Sequence, residues 1–131
     1  MKAMLIDAVN KKCKVVEYSG KLEQMRELIG CDIVTVGARF HQHVMFVDDE
    51  GLINGTNYYW KTVNAPQWYA GNALILHETE GKDIRYTPAQ IKEMEKAIQW
   101  MSVDDDSAWR PEPEMYMSTI DEDGNIETIK L

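Results

Sequence analysis

His41 and His43 stand two residues apart, and three acids, Asp48, Asp49 and Glu50, follow closely. On a strand that spacing turns both imidazoles to one face, and two imidazoles with a carboxylate such as Asp48 form a donor set for zinc or iron. A metal centre needs further ligands at bonding distance, and nothing in the sequence brings His77 or another acid there. The competing reading is of surface histidines at a strand corner. The DDEG run has the look of paired catalytic carboxylates, yet such pairs converge from separate elements, whereas acids ahead of Gly51 suit a turn. The chain has no GxGxxG, P-loop, HExxH or serine-elbow motif, so neither a catalytic residue nor a cofactor is expected.

Binding chemistry has more to work with. The stretch YYWKTVNAPQWYAG, residues 58 to 71, holds five of the twelve aromatic residues: Tyr58, Tyr59, Trp60, Trp68 and Tyr69. Each ring buries about 150–250 Å² when it enters a core, and some of these must do so. Adjacent rings on an extended chain point to opposite faces, so others are left for solvent, a cavity or a partner. Tyr and Trp beside Lys61, Asn64 and Gln67 are what a base-stacking pocket or a protein interface uses. Asn72 and Arg39 complete the candidate ligand set, with the amides reading a ring edge and Lys61 or Arg39 offsetting a phosphate.

These residues must be positioned by one domain, because 131 residues suit a single core. No apolar run approaches the ~20 residues of a membrane span, and the N-terminal MKAMLIDAV carries Asp7 where a signal peptide would be uninterrupted. A cytoplasmic protein is expected. Cys13 and Cys31 have no CxxC spacing and are expected to be reduced core thiols. The net charge of −8 is uneven: through Asn64 eight acids meet eight bases, while from Ala65 onward fourteen acids meet six bases. Such an acidic balance argues against direct nucleic-acid binding, which needs a basic face.

The element pattern is α+β: a mixed, mainly antiparallel sheet of about five strands with two helices packed on it, plus a C-terminal hairpin. Residues 3–9 and 13–18 read as a hairpin whose first strand, apolar on both faces, is central. Leu5 and Val9 share one face, Met4 and Ile6 the other. Leu22, Met25, Leu28 and Ile29 make the apolar stripe of a helix that Gly30 ends. Residues 32–40 and 43–51 read as a second antiparallel pair around a His41–Gln42 corner, and 72–78 as another buried strand. Residues 87–101 read as a helix with Thr87 as cap, Pro88 at the first position and Gln90 closing a capping box, its stripe being Ile91, Met94, Ala97, Ile98 and Met101. The domain is expected to span residues 1–101, with 102–131 an acidic loop and terminal hairpin around DEDGN.

MKAMLIDA, the strand CKVVEY, LIG before a strand, FVDDEGLI at 46–53 and PQWYAGNALIL at 66–76 together resemble a small uncharacterised domain family of phages, prophages and plasmids. The resemblance covers about residues 1–100. It implies a mobile-element protein in a bacterial cell that acts by stoichiometric binding, such as counter-defence. The leading expectation is a homo-oligomeric sponge for a nucleotide-derived signal molecule. A second is an inhibitor whose acidic C-terminal part, from Asp104 to Glu127, engages a basic host defence protein. A third is a metal-dependent hydrolase using His41, His43 and Asp48.

Overall fold

The computed structural model describes residues 1–50, 56–62 and 67–103 in full, together with the backbone of two strands, 116–120 and 126–130. In chain order the elements are β1 (Lys2–Asp7), β2 (Lys12–Glu17), α1 (Leu22–Ile29), β3 (Val34–Phe40), β4 (His43–Asp48), β5 (Tyr58–Thr62), β6 (Tyr69–Ala70), β7 (Ala73–His77), α2 (Pro88–Ala97), β8 (Ile98–Ser102), β9 (Tyr116–Ile120) and β10 (Ile126–Lys130). The architecture is α+β. Five strands form one sheet in the order β2-β1-β7-β4-β3, three form a small second sheet, β6-β5-β8, and β9 pairs with β10. Every strand pair among the described residues is antiparallel.

β1 and β7 sit inside the large sheet because their side chains are apolar on both faces. Leu5 lies opposite Leu74 and Met4 opposite Ile75. One face, with Ala3, Leu5 and Leu74, packs on Met25 and Ile29 of α1 and on Tyr18. The other, with Met4, Ile6, Met45, Val47 and Ile75, packs on Trp60, Ile91 and Ile98 of the small sheet and α2. The large sheet is therefore the middle of three layers, and burying each such Leu, Ile or Met contributes about 1.5–3 kcal/mol. Val9 departs from the expected face: the strand ends at Asp7, and Val9 is 54% exposed in the turn that follows.

Local signals set the helix ends. Gly30 adopts φ 82°, and its N–H donates to the Arg26 carbonyl at 2.7 Å, closing α1 in the left-handed cap that glycine takes without strain. Leu22, at the first helical position, stays exposed while Met25 and Ile29 are buried. At α2 the Gln90 N–H donates to the Thr87 hydroxyl at 3.2 Å and the Thr87 N–H to Gln90 Oε1 at 2.8 Å, the reciprocal box that the sequence predicts.

The far end of α2 corrects the sequence reading. The helix stops at Ala97, and residues 98–102 are strand β8. β8 pairs along β5, with Trp100 opposite Trp60 and Met101 opposite Tyr59. Ile98, 8% exposed, and Trp100 share the core face at a spacing of two while Gln99 is exposed, so strand alternation replaces the helical stripe. Pairing with β5 overrides local helix propensity here. The expected boundary at Met101 thus falls inside a strand. The DEDGN turn and most of the acidic loop lie outside the described residues. Among the described residues no helix is long and apolar enough to cross a membrane.

Candidate functional site

The aromatic stretch becomes β5 and β6. Tyr59 and Trp60 are each 1% exposed, so they belong to the core. The Trp60 indole N–H donates to the Gly71 carbonyl at 3.0 Å, and its ring stacks on Tyr69 with centroids 4.7 Å apart and planes 27° from parallel. The Tyr69 hydroxyl donates to the Gly37 carbonyl at 3.3 Å, and burial pushes its pKa upward. Gly37 sits at a register shift in β3, where a Cβ would meet Val47 methyls at 3.1 Å, so glycine lets β3 settle against β4.

The stacked pair walls an apolar cavity of about 290 Å³ between the two sheets and α2. Phe40, Met45, Ile75 and Met94 line it, with Thr62 the single hydroxyl-bearing aliphatic side chain among its described lining. The polar handles of Trp60 and Tyr69 are already bonded to backbone carbonyls, so both rings are fixed; Trp60 is buried behind Tyr69, and the half-buried Tyr69 is the ring with surface left to offer.

The remaining candidates scatter. Lys61 alternates with Trp60 and Thr62 along β5, and its Nζ lies 5.2 Å from the Trp68 ring centroid in a cation–π contact. Arg39 is exposed and alternates with Ala38 and Phe40, two residues that line the cavity. Strand alternation therefore directs both cations away from the cavity. Asn72 serves as a clamp: its Oδ1 accepts from the Ala8 N–H at 2.9 Å and its Nδ2 donates to the Leu28 carbonyl at 3.2 Å. Tyr58 lines a separate polar pocket of about 270 Å³ with Asp48, Thr56 and Asn72 at the end of α1. Gln67 is half-buried, and Asn64 lies outside the described residues.

The histidines do not form the metal set. His41 (φ 48°) and Gln42 (φ 65°) make the two-residue turn between β3 and β4, a pattern typical of type I′ hairpins. His43 is buried: its Nδ1–H donates to the His41 carbonyl at 2.7 Å, and its Nε2 accepts the Arg85 N–H at 3.1 Å. Neither nitrogen has a lone pair to give a metal. Burial lowers the His43 pKa; the bond to His41 works in the opposite sense, and His77, His41 and Arg85 add to the lowering. Asp48 closes the same six-residue strand, ~17 Å away at ~3.4 Å per residue. Among the described residues no three His, Cys, Asp or Glu side chains are placed to share an ion. Burial pushes the Cys13 thiol up to about 12, with the Glu95 carboxylate adding to it, and the Cys31 thiol up to about 11. Both are poor nucleophiles.

Two ring partners of His43 escaped sequence reasoning. His43 packs edge-on to His77, centroids 5.4 Å apart, and stacks on Tyr86 at 4.3 Å. His77 lies opposite His43 in the β4–β7 ladder and accepts the Thr79 N–H at Nδ1. Its Nε2 and the Tyr86 hydroxyl are buried with no hydrogen-bond partner among the described residues. Nothing in their spacing announced this: His77 ends β7, and Tyr86 lies in the irregular segment before the Thr87 cap.

Residues 1–99 match the model of a domain family described as a domain of unknown function, DUF3846. The chain belongs to this family. The match stops within β8, so it takes in both helices and all of the large sheet. No curated protein and no solved structure matches the chain.

Proposed function

We propose that this DUF3846 domain is a stoichiometric binding module without catalysis, which takes the flat, uncharged ring of a small molecule into the cavity beside Trp60 and Tyr69. The observation that carries this reading is the fixed ring stack on an apolar cavity of about 290 Å³, at the lower end of the volumes that ligand sites use. A nucleotide-derived signal fits through its base. Lys61 and Arg39 do not face the cavity, so the phosphate part would remain outside it. Sequestering such a signal inside a bacterial cell, as a mobile element's counter-defence protein would, is the use we propose for it.

A second reading, inhibition of a basic partner, draws on one observation: residues 104–131 carry nine acidic residues against two basic ones. Binding of that kind weakens steeply with salt, whereas ring capture in an apolar cavity does not.

Trp60→Ala is a poor test, because truncating a core Trp costs about 3–5 kcal/mol by itself. Ala38→Phe instead fills the cavity from the half-buried edge strand β3. Adenosine, guanosine and the fluorescent ring probe 1-aminoanthracene are titrated onto both proteins, with folding checked by circular dichroism. Saturable one-to-one binding that Ala38→Phe abolishes is expected. Binding of none of the three, or equal binding by the folded variant, overturns the reading.

A further inference from the structure

A second depression, about 450 Å³ and open to solvent, lies between the β3–β4 corner and α2. Phe40, His41 and Tyr86 line it on one side, Gln90, Glu93 and Met94 on the other. The Phe40 and His41 rings meet edge to face, centroids 6.2 Å apart and planes at 86°, so they form two walls at a right angle. Tyr86 is held by its stack on His43, whose nitrogens are themselves anchored to backbone. Among the described lining residues Glu93 is the only one that is formally charged at pH 7. Lys96 approaches Glu93 at 3.9 Å, but both are largely exposed, and such a pair is weak and easily exchanged.

Aromatic faces carry negative potential, and a carboxylate beside them adds to it. An anion is repelled by this combination. A bare metal ion finds a single carboxylate and no second anionic ligand among the described lining residues. An alkylammonium group would suit this lining: its positive charge would face rings and carboxylate, and its methyl groups would pack on Phe40 and Met94.

We propose that this groove is a binding site for an organic cation of the alkylammonium class. The proposal stands independently of ring binding in the cavity. The two sites nevertheless adjoin, since Phe40 and Met94 line both. A molecule with a flat ring and an ammonium tail would engage both at once.

The full chain is titrated with choline, with its uncharged carbon isostere 3,3-dimethylbutan-1-ol, and with sodium chloride at matched ionic strength, following backbone amide NMR shifts. Saturable shifts at His41, Tyr86, Gln90 and Glu93 with choline alone are expected. Glu93→Gln, on the exposed face of α2, is expected to weaken choline about tenfold, the factor that 1.4 kcal/mol represents, with folding checked by circular dichroism. Tyr86→Leu is expected to weaken it by a similar factor. Equal shifts with the alcohol or with sodium chloride, no shift with choline, or full affinity in Glu93→Gln each overturn the proposal.

Discussion

His43 makes stability depend on pH in a way that can be read from its two hydrogen bonds. Its Nε2 must accept from the Arg85 N–H, so the folded state holds the ring neutral, and burial lowers its pKa. In the unfolded chain the ring has its ordinary pKa of about 6.5. The folded protein therefore binds fewer protons, and this contribution to stability is fully present above about pH 6.5 and lost as pH falls from there toward the folded value. The groups around it are His41, His77, Arg85 and Tyr86. Asp7 acts in a separate window. Burial alone would raise its pKa, but hydrogen bonds from the Asn10 side chain and backbone, with Lys14 at 3.4 Å, outweigh burial and lower it. Its contribution is present above the unfolded value of about 3.9 and lost as pH falls through the folded value. The unfolding free energy from urea titrations between pH 7.5 and 5 should fall with acidification, by up to about 1.4 kcal/mol per pH unit. His43→Gln should flatten that slope and leave the drop below pH 4 in place; an unchanged slope would assign it to another group.

At the scale of elements, one edge of the large sheet, β2, is guarded by side chains of both helices. β2 is an edge strand, and an open edge invites pairing with another chain. The Cys13 N–H donates to Glu95 Oε1 of α2 at 2.9 Å, and Gln24 Nε2 of α1 donates to the Glu17 carbonyl at 3.0 Å. Glu95→Ala leaves the Cys13 N–H unpaired and should cost about 1–2 kcal/mol in a urea titration, with Glu95→Gln costing less than half as much because its amide oxygen still accepts. Equal losses in the two variants would mean that packing of the side-chain stem, rather than the bond, matters.

The same elements show what the sequence could and could not reveal. The β1–β2 and β3–β4 hairpins, the Gly30 stop and the Thr87–Pro88–Gln90 start were legible because each is decided within a few residues. β8 was not, since Ile98 and Met101 fit a helical stripe until β5, some forty residues earlier, supplies a strand partner. Likewise the aromatic stretch showed where rings gather, but not the walls of the cavity beside them. Phe40, Met45 and Met94 meet there only because β4 pairs with β7 across a crossover and α2 packs against the same core.

For the whole molecule, the described layers and the distribution of charge set up a truncation test. Both core clusters among the described residues are complete by Trp100, and the Val103 N–H still bonds the Asn57 carbonyl at 2.8 Å. The last strand that joins the described core, β8, thus runs a few residues past the family match at residue 99. Residues 1–103 carry thirteen acidic and twelve basic residues, so removing the remainder takes away nearly all of the net charge but no described core side chain. A chain ended after Val103 should fold cooperatively and bind 1-aminoanthracene as the full chain does. A chain ended after Ala97 should not fold, because it loses Ile98 and Trp100 from the core and leaves β5 without the partner that covers Trp60. Both are checked by thermal unfolding followed by circular dichroism. If the chain ending at Val103 is also unfolded, residues 104–131 complete the core, and the acidic segment is structural; if it folds but loses the ring probe, that segment belongs to the ligand site.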